Sequence, residues 1–477
     1  MNKKIKLLAL TLLITGAIDS IRNLPGAAIF GSSLVFFFIF AAILFLIPSA
    51  LVSAELAANI SEGGIYQWGR LAFGERIGFL CVWLQWVNNF FWFPSILSFI
   101  AGTAAYLVNP ALAQNHYYLV FSILGTFWGL TLINLRGIHL SSKFTSFCAF
   151  AGLIVPITLI IALLGVWFAL GKPLQMHLTI TNIFPDLTHL SNWVTLTIIM
   201  LGFIGIELAT VHIKEVATPQ TTFPRALAIS TIIILVTMML GSLAIAYVLP
   251  YNQINLVNGT IETFAYFLSA YHLNWMIPIL TILIVIGSLG GVISWVISPI
   301  RGIAQASKHG FLPEFFQREN KYGVAQNLLI TQAILVSIIC LVFLLLPTVS
   351  ASYWLLSALS TELSMIMYIV MFFSAFKLRN KINYSNQRNF KIPGKKPGML
   401  FVCCLGMIGC GLTFLVGFIP PDNVNIAVGS KFLYEFLFCS GLLAMLIPVL
   451  FFFICHKKSQ GNKSVNRKSY VLETGNE

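Results

Sequence analysis

Runs of about twenty apolar residues recur from end to end of this chain, long enough for a helix to cross a bilayer. The runs are continuous; strands of a membrane barrel would show shorter segments of about ten residues with alternating polarity. Only 9% of the 477 residues are charged, against about 25% in a soluble domain. Too few polar side chains remain to coat a soluble globule of this length. The expected fold class is therefore all-α and polytopic. Twelve spans are read, near 5–29, 33–58, 76–107, 117–134, 143–170, 191–215, 226–249, 275–305, 327–347, 352–377, 398–419 and 432–455.

The net charge of +13 invites a nucleic-acid reading, but the positions of the bases exclude it. Lys3, Lys4 and Lys6 precede span one, Arg70 and Arg76 follow span two, and Lys377, Arg379, Lys381, Arg388, Lys391, Lys395 and Lys396 fall between spans ten and eleven. Counted over all loops, 25 bases lie on one side and two, Lys172 and Lys431, on the other, with Arg22 left inside a span. That asymmetry is the signature of loops retained in the cytoplasm. It places both termini in the cytoplasm of a multi-pass cell-membrane protein, with anionic lipid head groups as partners of the basic loops. The first apolar segment runs on without a small-x-small cleavage site and is not read as a cleaved leader. The tail, 456–477, is polar and expected to be disordered. Eight cysteines fall in or beside spans with no CxxC pair, so buried thiols are expected, with neither disulfides nor a metal site.

Two spans carry glycine followed by an acid. Span one reads Thr15-Gly16-Ala17-Ile18-Asp19, with Arg22 three residues on; span six reads Phe203-Ile204-Gly205-Ile206-Glu207. Five spans separate them, so the two segments run in opposite directions across the membrane. Interrupted helices at matching places in two halves point to a transport site. Half-helix ends offer amides to a carboxylate and carbonyls to an ammonium. A zwitterionic amino acid matches both.

Asp19 and Arg22 are spaced to form a local ion pair or to contact substrate or gate. Glu207 is a candidate for proton binding or gating, or a hydrogen-bonding partner of span one. Glu362, midway along span ten, is either a protonatable group or an acid satisfied by another helix. Glu55 is read as interfacial. Asn88 and Asn89 are candidates to line a cavity or to bond between helices, Tyr368 to close over a ligand or simply to pack, and His212 is read as structural. No HExxH, GxSxG or GxxxxGK[ST] pattern occurs, so neither an enzyme nor an ATP-driven pump is expected, and no cofactor.

Several stretches together resemble the amino acid–polyamine–organocation superfamily, and within it the bacterial glutamate/γ-aminobutyrate antiporters. They are SLVFFFIFAAILFLIPSALVSAELA (33–57), EGGIYQW (62–68), GFIGIELATVHIKEVATPQTTFPRA (202–226), SWVISPIRGIAQASKHGFLP (294–313), FKIPG (390–394) and IPPDN (419–423). The resemblance implies a LeuT-like five-plus-five inverted repeat in a bacterial inner membrane. The repeats would be about 5–170 and 191–378, with two extra helices over about 398–455. It implies a site between spans one and six, flanked by spans three, eight and ten. Phe203 then stands where relatives place an aromatic near the substrate, Tyr368 matches a span-ten tyrosine, and Arg301 matches the inner end of span eight in a structural or gating role. Departures are Asp19 and Arg22, added in span one, and Gly291, where the glutamate/γ-aminobutyrate antiporters carry an acid. Leu201 replaces the gating tryptophan of arginine/agmatine exchangers.

The expected function is amino-acid antiport by alternating access. A proton-coupled symporter is the nearest rival and a non-transporting amino-acid sensor the rival of another class. Amino acids are the expected small-molecule partners, no nucleic acid is expected, and a homodimer is left open.

Overall fold

The computed structural model describes residues 6–60, 64–137, 147–148, 150–208, 210, 216, 218–306, 310–379, 390–422 and 431–473. Among them twelve helical segments are long and apolar enough to cross a membrane: Leu7–Ala28, Gly31–Asn59, Glu75–Leu107, His116–Leu135, Phe150–Ala169, Leu190–Leu208, Gln220–Val248, Met276–Ala304, Gln326–Leu345, Val349–Leu378, Lys395–Val416 and Lys431–Ile454. These are spans one to twelve, and each overlaps one read from sequence. Helix satisfies every backbone donor and acceptor within the segment, which lipid requires. The described residues contain no strand, only an isolated bridge between Glu319 and Ala325.

Burial separates the middle of the bundle from its rim. In span ten 83% of the apolar window is buried inside the protein, in span three 78% and in span six 72%. Span twelve, at 17%, presents most of its surface outwards. Spans three, six and ten thus form the interior, and span one lies chiefly against span seven with its broken stretch touching span six. The last helix continues to Glu473, past residue 455, where a disordered tail was expected; no proline follows Pro448 to stop it.

Spans five and eight cross with their backbones in contact. A methyl added at Gly152 would lie 2.6 Å from Gly287 Cα, and one added at Gly287 would lie 2.1 Å from Gly152 Cα. Beside them Gly290 faces the Cys148 thiol, where an added Cβ would meet Sγ at 2.3 Å. Small residues at such a crossing let two helices approach as closely as their main chains permit.

Near the C-terminal end of span two, Glu55 is fully buried rather than interfacial. It accepts from the Arg379 guanidinium at the end of span ten, and from the Ile392 amide at 2.7 Å. Arg379 donates in turn to the Ile392 carbonyl at 3.0 Å, and Asn59 to the Phe390 carbonyl at 3.3 Å. The FKIPG stretch before span eleven is thereby fastened to spans two and ten. A carboxylate can stay this deep because a guanidinium and an amide both meet it.

Between spans seven and eight the helix Gly259–Ala270 lies against span one. A Cβ at Gly259 would sit 3.1 Å from Pro25 Cβ.

Candidate functional site

Span one is interrupted three residues beyond the expected glycine. Its first helix, Leu7–Ile18, runs through Gly16 unbroken. The chain is extended at Asp19 and Ser20, turns through Ile21–Asn23, and resumes as the short helix Leu24–Ala28. Glycine lowers helix stability by only about 1 kcal/mol, and neighbouring helices hold the segment in place. The break falls where Asp and Ser offer the backbone competing hydrogen bonds and where Pro25 removes an amide from the ladder. That amide would have bonded to the Ile21 carbonyl, which accepts from the Leu24 amide and, at 3.0 Å, from Thr260 of the helix Gly259–Ala270. The Tyr353 hydroxyl of span ten donates to the Arg22 carbonyl at 3.1 Å.

The extended pair turns Asp19 and Arg22 apart, and they form no ion pair, contrary to one sequence expectation. Asp19 Oδ2 accepts from Thr237 of span seven at 2.7 Å. Arg22 Nη1 donates to Ser95 of span three at 2.6 Å, and its guanidinium carbon sits 5.2 Å from the centre of the Trp92 ring.

Span six breaks at the expected glycine. The helix Thr195–Phe203 ends at Ile204, which is extended, and Gly205 has φ +111°. An L side chain rarely adopts that conformation, so glycine is required there. The Gly205 amide donates to the Tyr368 hydroxyl at 2.8 Å, and that hydroxyl donates to Glu207 Oε2. Tyr368 stands edge-on to Phe45 of span two, with ring centres 4.7 Å apart. It therefore ties the broken segment to span ten, and the Gly205 amide is already engaged by protein. This linking role was not legible from sequence, because nothing in the spacing of Tyr368 relates it to Gly205.

The two breaks adjoin. A Cβ at Gly205 would lie 3.7 Å from Ile18 Cγ1. Asn23 approaches Gly202, where an added Cβ would be 3.6 Å from its Nδ2. Span three contributes Asn88, which donates to Ser364 of span ten at 2.8 Å. Asn89 instead bonds back to the Gln85 carbonyl within its own helix. Several buried polar atoms here have no partner: Thr15 Oγ1, Asp19 Oδ1, Arg22 Nε, Asn23 Oδ1, Thr197 Oγ1 and Ser357 Oγ. Buried polar groups are normally paired, so spare hydrogen-bonding capacity concentrated on spans one, six and ten marks a candidate ligand site.

Other candidates lie differently. Phe203 is buried with its ring 6.0 Å from Phe38 of span two. Ile206 is fully buried beside Glu207 in the turn after the break. Glu362 is buried with both carboxylate oxygens unpartnered. It faces span eleven rather than the breaks: a Cβ at Gly417 would meet its Oε1 at 2.0 Å. Arg301 is exposed near the C-terminal end of span eight. Ala17 lies within the first helix, its side chain outside the described residues, as is His212. Among the described residues no group of three or more His, Cys, Asp or Glu side chains could hold a metal.

Twelve apolar helices, two of them broken side by side among buried polar groups, have the architecture of a helical membrane transporter. The chain belongs to the amino acid permease family, whose profile matches residues 5–447, and is thus an amino-acid transporter of the amino acid–polyamine–organocation superfamily. An uncharacterized transporter of Legionella pneumophila is 40% identical over 94% of this chain and 97% of its own. A glutamate/γ-aminobutyrate antiporter of Lactococcus lactis is 27% identical over 96% of this chain and 92% of its own. A probable agmatine/putrescine antiporter of Lactococcus lactis is 27% identical over 83% of this chain and 84% of its own.

Proposed function

We propose that this transporter is an antiporter working by alternating access, with exchange of the glutamate/γ-aminobutyrate kind. One observation carries the reading: the breaks of spans one and six adjoin, and unpartnered polar atoms gather around them. Two relatives named as antiporters of this kind or a related one add to it. The substrate-binding set is Thr15, Gly16, Ala17, Ile18, Asp19 and Arg22 on span one, Asn88 on span three, Phe203, Gly205 and Ile206 on span six, and Tyr368 on span ten. Glu207, Glu362 and Arg301 are assigned to coupling or gating. The reading includes repeats over about 5–170 and 191–378, residence in a bacterial inner membrane, and cytoplasmic termini.

Vesicles loaded with L-glutamate or γ-aminobutyrate test it. Labelled substrate is expected to enter only when an amino acid is present inside. Entry into empty vesicles driven by an imposed proton gradient would replace exchange by symport.

Symport is the second reading, and the hydrogen bond between Tyr368 and Glu207 favours it. A carboxyl that accepts from a tyrosine beside the Gly205 amide is placed to couple a proton to the break. Glu207→Gln keeps the shape and removes the titrating group. The wild-type exchange rate is expected to vary with pH and that of Glu207→Gln to vary much less, with equal amounts of folded protein. Superimposable pH–rate profiles would remove Glu207 from any proton role.

A further inference from the structure

Arg22 is the one fully buried base among the described residues. The four buried acids there are Asp19, Glu55, Glu207 and Glu362. None pairs with it: Asp19 is held by Thr237, Glu55 by Arg379, Glu207 by Tyr368, and Glu362 packs against Gly417. A buried cation without a counter-charge is costly, and more so at membrane depth.

The guanidinium is nevertheless held firmly. Nη1 donates to Ser95 at 2.6 Å. The Ser95 hydroxyl donates to the Trp92 carbonyl at 3.1 Å, and the Trp92 ring lies beneath the guanidinium. Trp92 is backed in turn by Trp295 of span eight, with ring centres 5.5 Å apart. The Arg22 backbone is fixed by Tyr353. Asn88, Trp92 and Ser95 share one face of span three at i, i+4 and i+7 spacing. Arg22 Nε is buried with no acceptor. A planar guanidinium presented in this way suits the two oxygens of a carboxylate.

We infer that Arg22, positioned by Ser95 and Trp92, is the subsite that reads a carboxylate on the far end of an α-amino acid, making the transporter selective for acidic over neutral and cationic α-amino acids. This deepens the proposed function and rests on its placing of the substrate at the breaks. A lone staple between spans one and three would need no charge selectivity, and that is the contrast to measure.

Equilibrium binding to the purified full chain is compared for L-glutamate, L-glutamine and L-lysine. Wild type is expected to bind glutamate at least about tenfold more tightly than the other two, in the range of a charge-assisted bidentate contact. Arg22→Gln is expected to lose that advantage while glutamine binding changes little; Arg22→Lys keeps the charge without the fork and falls between. Wild type that binds glutamate and glutamine alike, or prefers lysine, overturns the inference whether or not any variant folds. So does an Arg22→Gln chain that weakens all three ligands equally. Vesicle counterflow separates this from the parent reading. Glutamate-selective binding without counterflow overturns antiport and keeps the subsite. Counterflow of neutral or cationic α-amino acids that glutamate does not inhibit keeps antiport and overturns the subsite.

Discussion

Gly205→Ala is expected to cut amino-acid exchange at least about tenfold while the chain still inserts and folds. The cost arises from backbone strain rather than crowding. A Cβ at this position would meet Leu208 Cδ1 at 3.5 Å and Ile18 Cγ1 at 3.7 Å, both ordinary contacts. The φ of +111° is the difficulty; holding an L residue in such a region costs about 1–3 kcal/mol. The chain can relieve it by rotating the peptide, which swings the Gly205 amide off Tyr368 and disturbs the bond from Tyr368 to Glu207. Exchange rates in vesicles, normalised to reconstituted protein, measure the effect. Gly125→Ala is the control, because Gly125 lies inside the regular helix of span four with open space where a Cβ would go. If both variants keep wild-type rates, the left-handed turn has no part in transport.

The second large effect concerns the buried pair of Glu55 and Arg379. Glu55→Ala is expected to destabilise the protein by about 3 kcal/mol, at the low end for breaking a buried ion pair. The substitution removes one acceptor from the Arg379 guanidinium and another from the Ile392 amide. Both donors face a protein interior, so an unmet donor there is expensive. The FKIPG stretch loses the carboxylate half of its fastening to span two and keeps only the bond from Asn59 to Phe390. The midpoint of unfolding in a denaturing detergent titration reads the loss. A Glu55→Gln chain, which keeps an acceptor but no charge, is expected to fall between. A midpoint for Glu55→Ala within error of wild type would show that the pair contributes nothing net.

Much of the architecture could be read from residue order because the bilayer imposes it. The twelve spans follow from run length. The span-six break was legible because Gly205 adopts a conformation that other residues avoid. Span one misled for the opposite reason. Gly16 weakens a helix without breaking it, while the break itself needs Asp19, Ser20 and Pro25 acting with Thr260 and Tyr353 from distant spans. No local pattern carries that information. The pairing of Asp19 with Arg22 failed likewise, since i, i+3 spacing implies proximity only if the intervening backbone is helical. Glu55 looked interfacial by its position at a span end. Its burial depends on a loop more than 300 residues later in the chain.

Span five meets span eight at Gly152 and Gly287 with main chain directly against main chain. Their separation there is already at its floor, so no rearrangement can bring them closer at that point. With no interdigitated side chains between the two glycines, rotation about the crossing disturbs less packing than separation would. Even a single carbon added to either glycine would act as a wedge, forcing the two rods apart at their pivot.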